Sequence, residues 1–143
     1  MRRFGFIVAA VVCVLCVAVP AVRAEPALAV IVHPQGAAQL TAEDVANIFL
    51  KKRRFWADGQ PIVALNLPPG SVLREGFSRA VLGSDSSHLA AYWNQQYFQG
   101  VFPPVTLSSS AAVKRYVATE RNAIGYIDAA EVDDSVRVML RLP

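Results

Sequence analysis

A strand–turn–helix segment in the middle of the chain places the strongest constraint on its fold. Residues 62–67 read IVALNL, an apolar run with β-branched residues that is typical of a buried strand. Pro68 to Gly70 then breaks the strand, and Ser71 follows where its side chain can cap a helix. The apolar residues at helical spacing after it are Leu73, Phe77, Ala80 and Val81. We therefore predict a strand, a tight turn and a helix that ends near Leu82.

The turn of this segment is also the first candidate binding site. Backbone N–H groups at the start of a helix have no partner within the helix, and the helix dipole adds positive potential there. A phosphate, sulfate or carboxylate group is stabilised at such a position. The candidate ligand-binding residues are Gly70, Ser71, Val72 and Arg74. The alternative is an ordinary turn in which Ser71 only caps the helix.

The first 24 residues have the pattern of a secretory signal peptide. Arg2 and Arg3 precede an apolar run from Phe4 to Val19, and a small residue, Ala24, follows shortly after. We predict cleavage after Ala24, one α/β domain over residues 25–143, and a periplasmic location. Because the apolar run is short for a membrane span, an uncleaved anchor is the less favoured alternative.

Removal of this segment changes the charge and the cysteine content of the chain. Three of the 14 Lys and Arg lie within residues 1–24, which leaves 11 basic against 11 acidic residues. This neutral balance argues against a nucleic-acid or anionic-membrane partner. Cys13 and Cys16 also lie within the segment, and Val12 and Leu15 before them do not suit lipidation. Residues 25–143 therefore have neither a disulfide nor a thiolate metal ligand.

The rest of the chain alternates between strand and helix patterns. Further strands are predicted at residues 27–32, 123–127 and 136–140, and further helices after Thr41, after Ser86 or Ser87, and after residues 108–110. Such alternation predicts an α/β fold, a single three-layer αβα domain with a mostly parallel sheet. The continuous apolar run at 27–32 suits a strand that is buried on both faces in a parallel sheet.

The residues do not form a catalytic or metal-binding pattern. Ser71 is not part of a Gly-x-Ser-x-Gly elbow, and no His-x-His or Glu-x-x-His spacing occurs. We expect a protein that is not an enzyme and that holds no metal or other cofactor. His33, at the end of the first strand, is expected at the edge of the sheet. Alternatively, in a parallel sheet it would lie near Ser71.

Two further segments allow alternative interpretations. Residues 51–54 are all basic and precede Phe55 and Trp56, which favours a solvated helix end beside core aromatics over a surface for an acidic partner. Four aromatic residues follow within one predicted helix. They are Tyr92, Trp93, Tyr97 and Phe98. Their spacing puts some of them on the core side of the helix and some outside. A role in the core is expected by default, and an exposed aromatic patch is the alternative.

Several segments, in their order and spacing, resemble the phosphate-binding periplasmic components of ABC transporters, which belong to the type 2 periplasmic binding proteins. These segments are His33-Pro34 after the first strand, Ile48 to Lys51 with Trp56 shortly after, Gly70-Ser71, Tyr92-Trp93 and Ala123 to Tyr126. The chain looks more similar still to the small single-domain exported proteins named after them. The resemblance implies one lobe of a two-lobed fold, phosphate or a similar small oxyanion as ligand, and an ABC permease or another envelope protein as partner.

The turn departs from the pattern of that family, which reads Arg, any residue, Asp, Gly, Ser, Gly, Thr. Gly70 and Ser71 match, whereas Leu67, Pro69, Val72 and Leu73 replace the Arg, the Asp, the second Gly and the Thr. The guanidinium that would hold a phosphate is therefore missing at position 67. Two hypotheses follow. Either the protein binds an oxyanion weakly at Gly70-Ser71, or it is an interaction module without a ligand that docks an envelope partner through residues 51–56 or the sheet edge.

Overall fold

A computed structural model describes residues 18–20, 27–37 and 39–143. The predicted signal peptide, residues 1–24, lies outside the described residues except for positions 18–20. The elements in chain order are β1 (Leu28–Val32), α1 (Ala42–Phe49), β2 (Val63–Asn66), α2 (Val72–Phe77), α3 (Ser86–Tyr97), β3 (Val105–Thr106), α4 (Ser110–Thr119), β4 (Ala123–Asp128) and β5 (Arg137–Leu142). A π-helical turn, Ser78–Leu82, continues α2, and a 3-10 turn, Ala129–Glu131, follows β4.

The strands form one sheet in the order β3-β2-β4-β1-β5. β2 pairs in parallel with β3 and β4, whereas β1 is antiparallel to both of its neighbours, β4 and β5. Four of the five described strands therefore share one direction, which confirms the prediction of a mostly parallel sheet. The prediction for β1 was right about burial, since all five of its residues are buried, and wrong about direction. An apolar run shows only that both faces are covered, which is equally true of a central antiparallel strand.

Helices cover both faces of the sheet. Gly125 on β4 faces α4, where a Cβ atom would collide with the side chain of Val113. The next residue, Tyr126, points to the opposite face because side chains alternate along a strand. There its ring stacks on that of Phe77 in α2, with 4.0 Å between the ring centroids. The ring centroid of Phe49 in α1 lies 4.7 Å from that of Phe77. The fold is thus a three-layer αβα domain, as predicted.

The predicted helix starts are correct except for one. Thr41 caps α1, and its side chain and the Asp44 carboxylate each accept the other residue's backbone N–H at 3.1 and 2.9 Å. Such a capping box satisfies two backbone donors at once. The cap of α3 is Asp85, and the prediction of Ser86 or Ser87 was wrong. The Asp85 carboxylate accepts the N–H of His88 at 2.9 Å, whereas the hydroxyl of Ser86 donates to Glu75.

The helix after Ser71 ends at Leu82, as predicted, but its second half is a π turn. Gly83 follows with φ of +68°, a left-handed conformation that suits glycine at the end of a helix. Phe77 is buried, whereas Ala80, predicted on the same apolar face, is exposed. The wider π turn explains the difference, because it rotates later residues away from the 3.6-residue period.

Two of the aromatic residues near α3 are half-buried and two are exposed, as their spacing predicted, so the default core role does not hold for Tyr97 and Phe98. Tyr97 is 62% exposed and Phe98 is 88% exposed. Tyr92 and Trp93 are half-buried, and the Tyr92 hydroxyl donates to the Leu50 carbonyl at 2.6 Å. Among the described residues α3 has no extensive packing against the sheet, so its aromatic side chains are left partly in solvent. The edge strand β3 was not predicted, since it has two exposed residues and no apolar run.

Candidate functional site

The carboxyl ends of β2, β3 and β4 lie at the same end of the sheet, because the three strands are parallel. Two helices begin at this end, α2 with its cap Ser71 and α4 with its cap Ser109. The hydroxyl of Ser110 accepts the N–H of Asp128 at 3.2 Å and so connects the start of α4 to the end of β4. Open α/β sheets bind their ligands outside the carboxyl ends of the strands, so this end is the candidate site.

The four predicted site residues lie in the turn before α2 and in the first turn of that helix. Gly70 has φ of +81°, which favours glycine, and the N–H of Ser71 donates to the Pro68 carbonyl at 3.2 Å. The Ser71 hydroxyl accepts the N–H of Arg74 at 3.3 Å, which confirms Ser71 as a helix cap. Gly70 and Val72 are exposed, and Ser71 and Arg74 are half-buried. Their role as ligand residues stays a prediction.

The side chain of Arg74 connects the helix start to the residue before the turn. Its Nη1 donates at 2.9 Å to the carbonyl of Leu67, which lies seven positions earlier in the chain, before the turn. Leu67 occupies the position where the resembling family has its anion-binding arginine. A guanidinium is therefore present at the turn after all, but it comes from the helix side. One of its five N–H donors is used by the chain itself.

Glu75 places a negative charge beside the same turn. Its carboxylate accepts a hydrogen bond from the Ser86 hydroxyl, and this bond is the main cause that lowers the pKa of Glu75. The backbone N–H groups of Ser86 and Gly70 contribute in the same direction, against the effect of burial. Because the carboxylate of Glu75 stays ionised, it repels an incoming anion. Sequence reasoning missed this residue, which stands in an unremarkable helical position.

Tyr126 supports the strand end beneath the turn. Its hydroxyl donates to Asn66 Oδ1 and accepts the N–H of Leu67 at 3.3 Å. The side chain is fully buried, and burial raises the pKa of Tyr126 to about 12. The sequence placed Tyr126 in a buried strand without indicating this contact. The sequence signal that could have indicated it is a tyrosine within an otherwise apolar strand, because a buried tyrosine needs a hydrogen-bond partner for its O–H.

Neither histidine belongs to this site. His33 follows β1, whose last residue Val32 pairs with Ile124 near the start of β4. It therefore lies at the opposite end of the sheet from Ser71, and the alternative that placed it near Ser71 was wrong because β1 runs against its neighbours. His88 is exposed in the first turn of α3, with its Nδ1 2.8 Å from an Asp85 carboxylate oxygen.

The end of the sheet opposite the turn carries a wide cleft and the basic run. Arg53 pairs with Asp44 at 3.3 Å and lies 5.8 Å from the centre of the Trp56 ring. Trp56 is half-buried, and its indole N–H donates to the Asn122 carbonyl at 3.0 Å. Both side chains line the cleft, together with polar residues such as Gln39, Gln60 and Arg121. The contacts of Arg53 and Trp56 match the interpretation of a solvated helix end, and Trp56 packs against the core. Phe55 was expected in the core as well, and that expectation was wrong, since it is 59% exposed.

The described residues lack two further features, a cluster of metal ligands and a membrane-spanning helix. Across residues 18–20, 27–37 and 39–143, no three His, Cys, Asp or Glu side chains are grouped so that they could hold a metal ion. Within the same residues, no helix has the length and apolar character that crossing a membrane requires.

Comparison with solved structures identifies the fold as that of phosphate ABC transporter substrate-binding proteins. One similar structure is a Clostridium perfringens protein assigned as such a substrate-binding protein and solved with bound phosphate, at 27% identity and a TM-score of 0.64. Others are an ABC-type phosphate transport receptor from Vibrio cholerae, at 21% identity and a TM-score of 0.61, and PstS from Borrelia burgdorferi, at 17% and 0.62. No protein-family model matches the chain, and no curated protein does either.

The matches cover most of this chain and less than half of the similar ones. They span 78%, 78% and 79% of this chain, and 43%, 44% and 46% of the three similar chains. The covered share of the similar chains is consistent with one lobe of a two-lobed protein, as the resemblance implied. These similar structures are of binding proteins rather than enzymes, in line with the expectation that the chain is not an enzyme.

Proposed function

We propose that the chain is a periplasmic solute-binding-like protein that holds a small oxyanion such as phosphate weakly at the start of α2. The observation that carries the proposal is the Ser71 turn itself. The turn lies at the carboxyl end of β2, which is the end of a parallel sheet where ligands bind and where helix starts can hold an anion. The guanidinium of Arg74 lies beside it. The similar Clostridium perfringens protein, which was solved with phosphate, adds support.

The hydrogen bonds of the turn leave donors for such a ligand. The N–H of Glu75 makes the first intrahelical bond, to the Ser71 carbonyl at 3.0 Å, and the Ser71 hydroxyl oxygen takes the N–H of Arg74. The N–H groups of Val72 and Leu73 come before these bonds and remain for the oxyanion. The Ser71 hydroxyl can donate its own proton, since its oxygen acts as the acceptor in the cap.

Three features make the proposed site weak. Leu67 supplies no guanidinium, the Glu75 carboxylate repels an anion, and the turn is partly open to water. Water reduces the attraction between charges and competes for the hydrogen bonds. We therefore expect a dissociation constant in the millimolar rather than the nanomolar range, roughly −4 kcal/mol of binding free energy. Export, and a role in uptake with an ABC permease, rest on the predicted signal peptide and on the similar transport proteins.

Calorimetric titration with phosphate at low ionic strength tests this proposal, with sulfate as the comparison anion. The protein is purified from cells that express the full sequence, in the form that the cells produce. We expect saturable heat in the unmodified protein. In a Ser71→Ala variant we expect the binding free energy to weaken by about 1–3 kcal/mol, which is roughly a 5- to 150-fold loss of affinity. The same variant loses a helix cap, so its effect on binding needs a matched control.

Ser109→Ala provides that control. Ser109 caps α4 at the same end of the sheet and accepts the N–H of Ala112 at 3.1 Å, much as Ser71 does for Arg74. Both variants therefore lose a comparable cap, and only Ser71→Ala is expected to lose phosphate affinity. Equal affinities in the two variants would contradict the site at Ser71.

A second candidate function is an interaction module without a small-molecule ligand. The observation in its favour is Glu75, whose ionised carboxylate already lies at the turn that would receive the anion. The turn residues are exposed or half-buried, so the described domain does not by itself enclose an anion there. For this candidate we expect no heat at millimolar phosphate in the unmodified protein, with binding to a protein partner instead.

A further inference from the structure

An exposed apolar surface lies between the end of α3 and the sheet edge at β3. Tyr97 and Phe98 end α3, and Phe102 follows in the loop that leads to β3. The Tyr97 ring lies 6.2 Å from that of Phe98 and 5.6 Å from that of Phe102, each in an edge-to-face arrangement. Phe98 is 88% exposed, and Tyr97, Phe102 and Val105 are 62%, 60% and 58% exposed. We call these four residues the α3–β3 patch.

The α3–β3 patch is continuous with the open edge of the sheet. Val105 belongs to β3, which is the outermost strand in the described sheet and pairs only with β2. Both residues of β3 are exposed. An edge strand presents backbone N–H and C=O groups that can pair with a further strand. Apolar side chains and unpaired backbone thus lie side by side on one surface.

The sequence around the patch has no charge. Residues 89–113 include no Asp, Glu, Lys or Arg, in a protein where these make up 17% of all residues. A partner recruited by charge, such as an anionic lipid surface or an acidic protein, therefore finds no charged side chain on this segment. A neutral surface suits contact with its own copy, because two-fold symmetry would otherwise bring like charges together.

The polar residues beside the patch point to the same partner. Asn94, Gln95 and Gln99 are exposed on the same segment of chain. Each carboxamide has donors and an acceptor, so it can pair with an identical group across a two-fold axis. An interface between two copies needs this self-complementarity, since the same residues face each other.

The exposed area is of the order that a dimer requires. An aromatic side chain buries about 150–250 Å², so the exposed fractions of the three rings correspond to roughly 300–500 Å². A stable interface takes roughly 800 Å² from each partner. The amides and the β3 edge can supply the remainder. From these observations we infer that two copies of this chain associate through the α3–β3 patch, with the two β3 edges adjacent.

Sedimentation equilibrium of the purified protein, over a range from about 1 to 100 μM, tests the inference. The unmodified protein is expected to be dimeric at the upper end. Phe98→Glu brings two carboxylates to the interface and is expected to weaken the dimer by roughly 30-fold or more, the effect typical of a central aromatic residue. The control is Phe55→Glu, because Phe55 is 59% exposed but belongs to another surface, and it is expected to leave the dimer unchanged.

A second variant, Val105→Lys, tests the strand edge independently and is expected to weaken the dimer as well. Circular dichroism checks that each variant is folded. A monomer at all concentrations would overturn the inference, and so would a dimer that neither Phe98→Glu nor Val105→Lys weakens. Monomers that bind uncharged phosphatidylcholine vesicles through Phe98 would overturn it in favour of a lipid surface. The inference does not depend on oxyanion binding. Calorimetry can therefore contradict the proposed site while sedimentation supports the dimer, and the reverse is equally possible.

Discussion

At the scale of single residues, the hydroxyl of Tyr126 connects the buried sheet to the turn that carries the candidate site. It is held between Asn66 and the N–H of Leu67, directly before the turn. Tyr126→Phe keeps the ring and its stacking on Phe77 but removes these two hydrogen bonds. We expect a loss of about 1–2 kcal/mol in the free energy of unfolding, measured with urea at pH 7. Tyr116→Phe, at a partly exposed tyrosine on α4, is the control.

The same residue predicts how stability changes at high pH. Burial raises the pKa of Tyr126 to about 12 from an ordinary value of 10.0, so the folded state holds this proton more tightly than the unfolded chain. The resulting stabilisation is complete below pH 10 and is lost as the pH rises from 10 to 12. The unmodified protein should lose about 2–3 kcal/mol more over this range than Tyr126→Phe. Parallel curves for the two proteins would contradict the burial of this hydroxyl.

Side-chain contacts around the turn are also the part of the site that sequence could not supply. The Gly70-Ser71 turn and its cap follow from local preferences, which a sequence shows directly. The contact of Arg74 with Leu67, and that of Glu75 with Ser86, depend on side-chain direction and on how α3 follows the π turn. The Tyr126 contact joins residues about 60 positions apart. None of these leaves a periodic pattern.

At the scale of elements, the contact between β4 and α4 depends on a glycine. A Cβ at Gly125 would collide with Val113. We expect Gly125→Ala to lower the free energy of unfolding by about 1–3 kcal/mol, because either α4 must move or the side chain of Val113 must change its rotamer. Gly76→Ala is the matched control, since its nearest contact would be Leu28 Cδ2 at 3.8 Å. It is expected to stabilise α2 by about 0.5–1 kcal/mol, and equal effects of the two changes would contradict the close approach of α4.

Element positions were predicted better than their environments. Caps and breakers mark where helices and strands begin and end, and the structure has nearly all of them within one or two residues of the predicted bounds. The direction of β1 and the exposure of α3 were not accessible in this way. Periodicity shows which residues share a face, but it does not show which neighbour, if any, covers that face. The aromatic residues of α3 and the β3 edge therefore emerged only from the structure.

At the scale of the whole molecule, the described residues have the fold of one lobe, and the candidate site lies where the turn is partly open to solvent. A two-lobed binding protein encloses its anion, whereas the Ser71 turn meets solvent on its open side. The neutral charge of residues 25–143 adds no long-range attraction for anions. Any affinity must come from the local donors of the turn, Val72, Leu73, Ser71 and Arg74, against the repulsion of Glu75.

The most direct test of this account is an amide ¹H–¹⁵N NMR spectrum of the protein, recorded while phosphate is added up to about 50 mM at constant ionic strength. The account predicts saturable shifts that are largest for the N–H groups of Val72 and Leu73, and that require at least about fivefold more phosphate in Ser71→Ala. Shifts centred on the opposite cleft, near Arg53 and Arg121, would contradict it. A spectrum that phosphate leaves unchanged would contradict it as well, and would leave the interaction module as the function of this lobe.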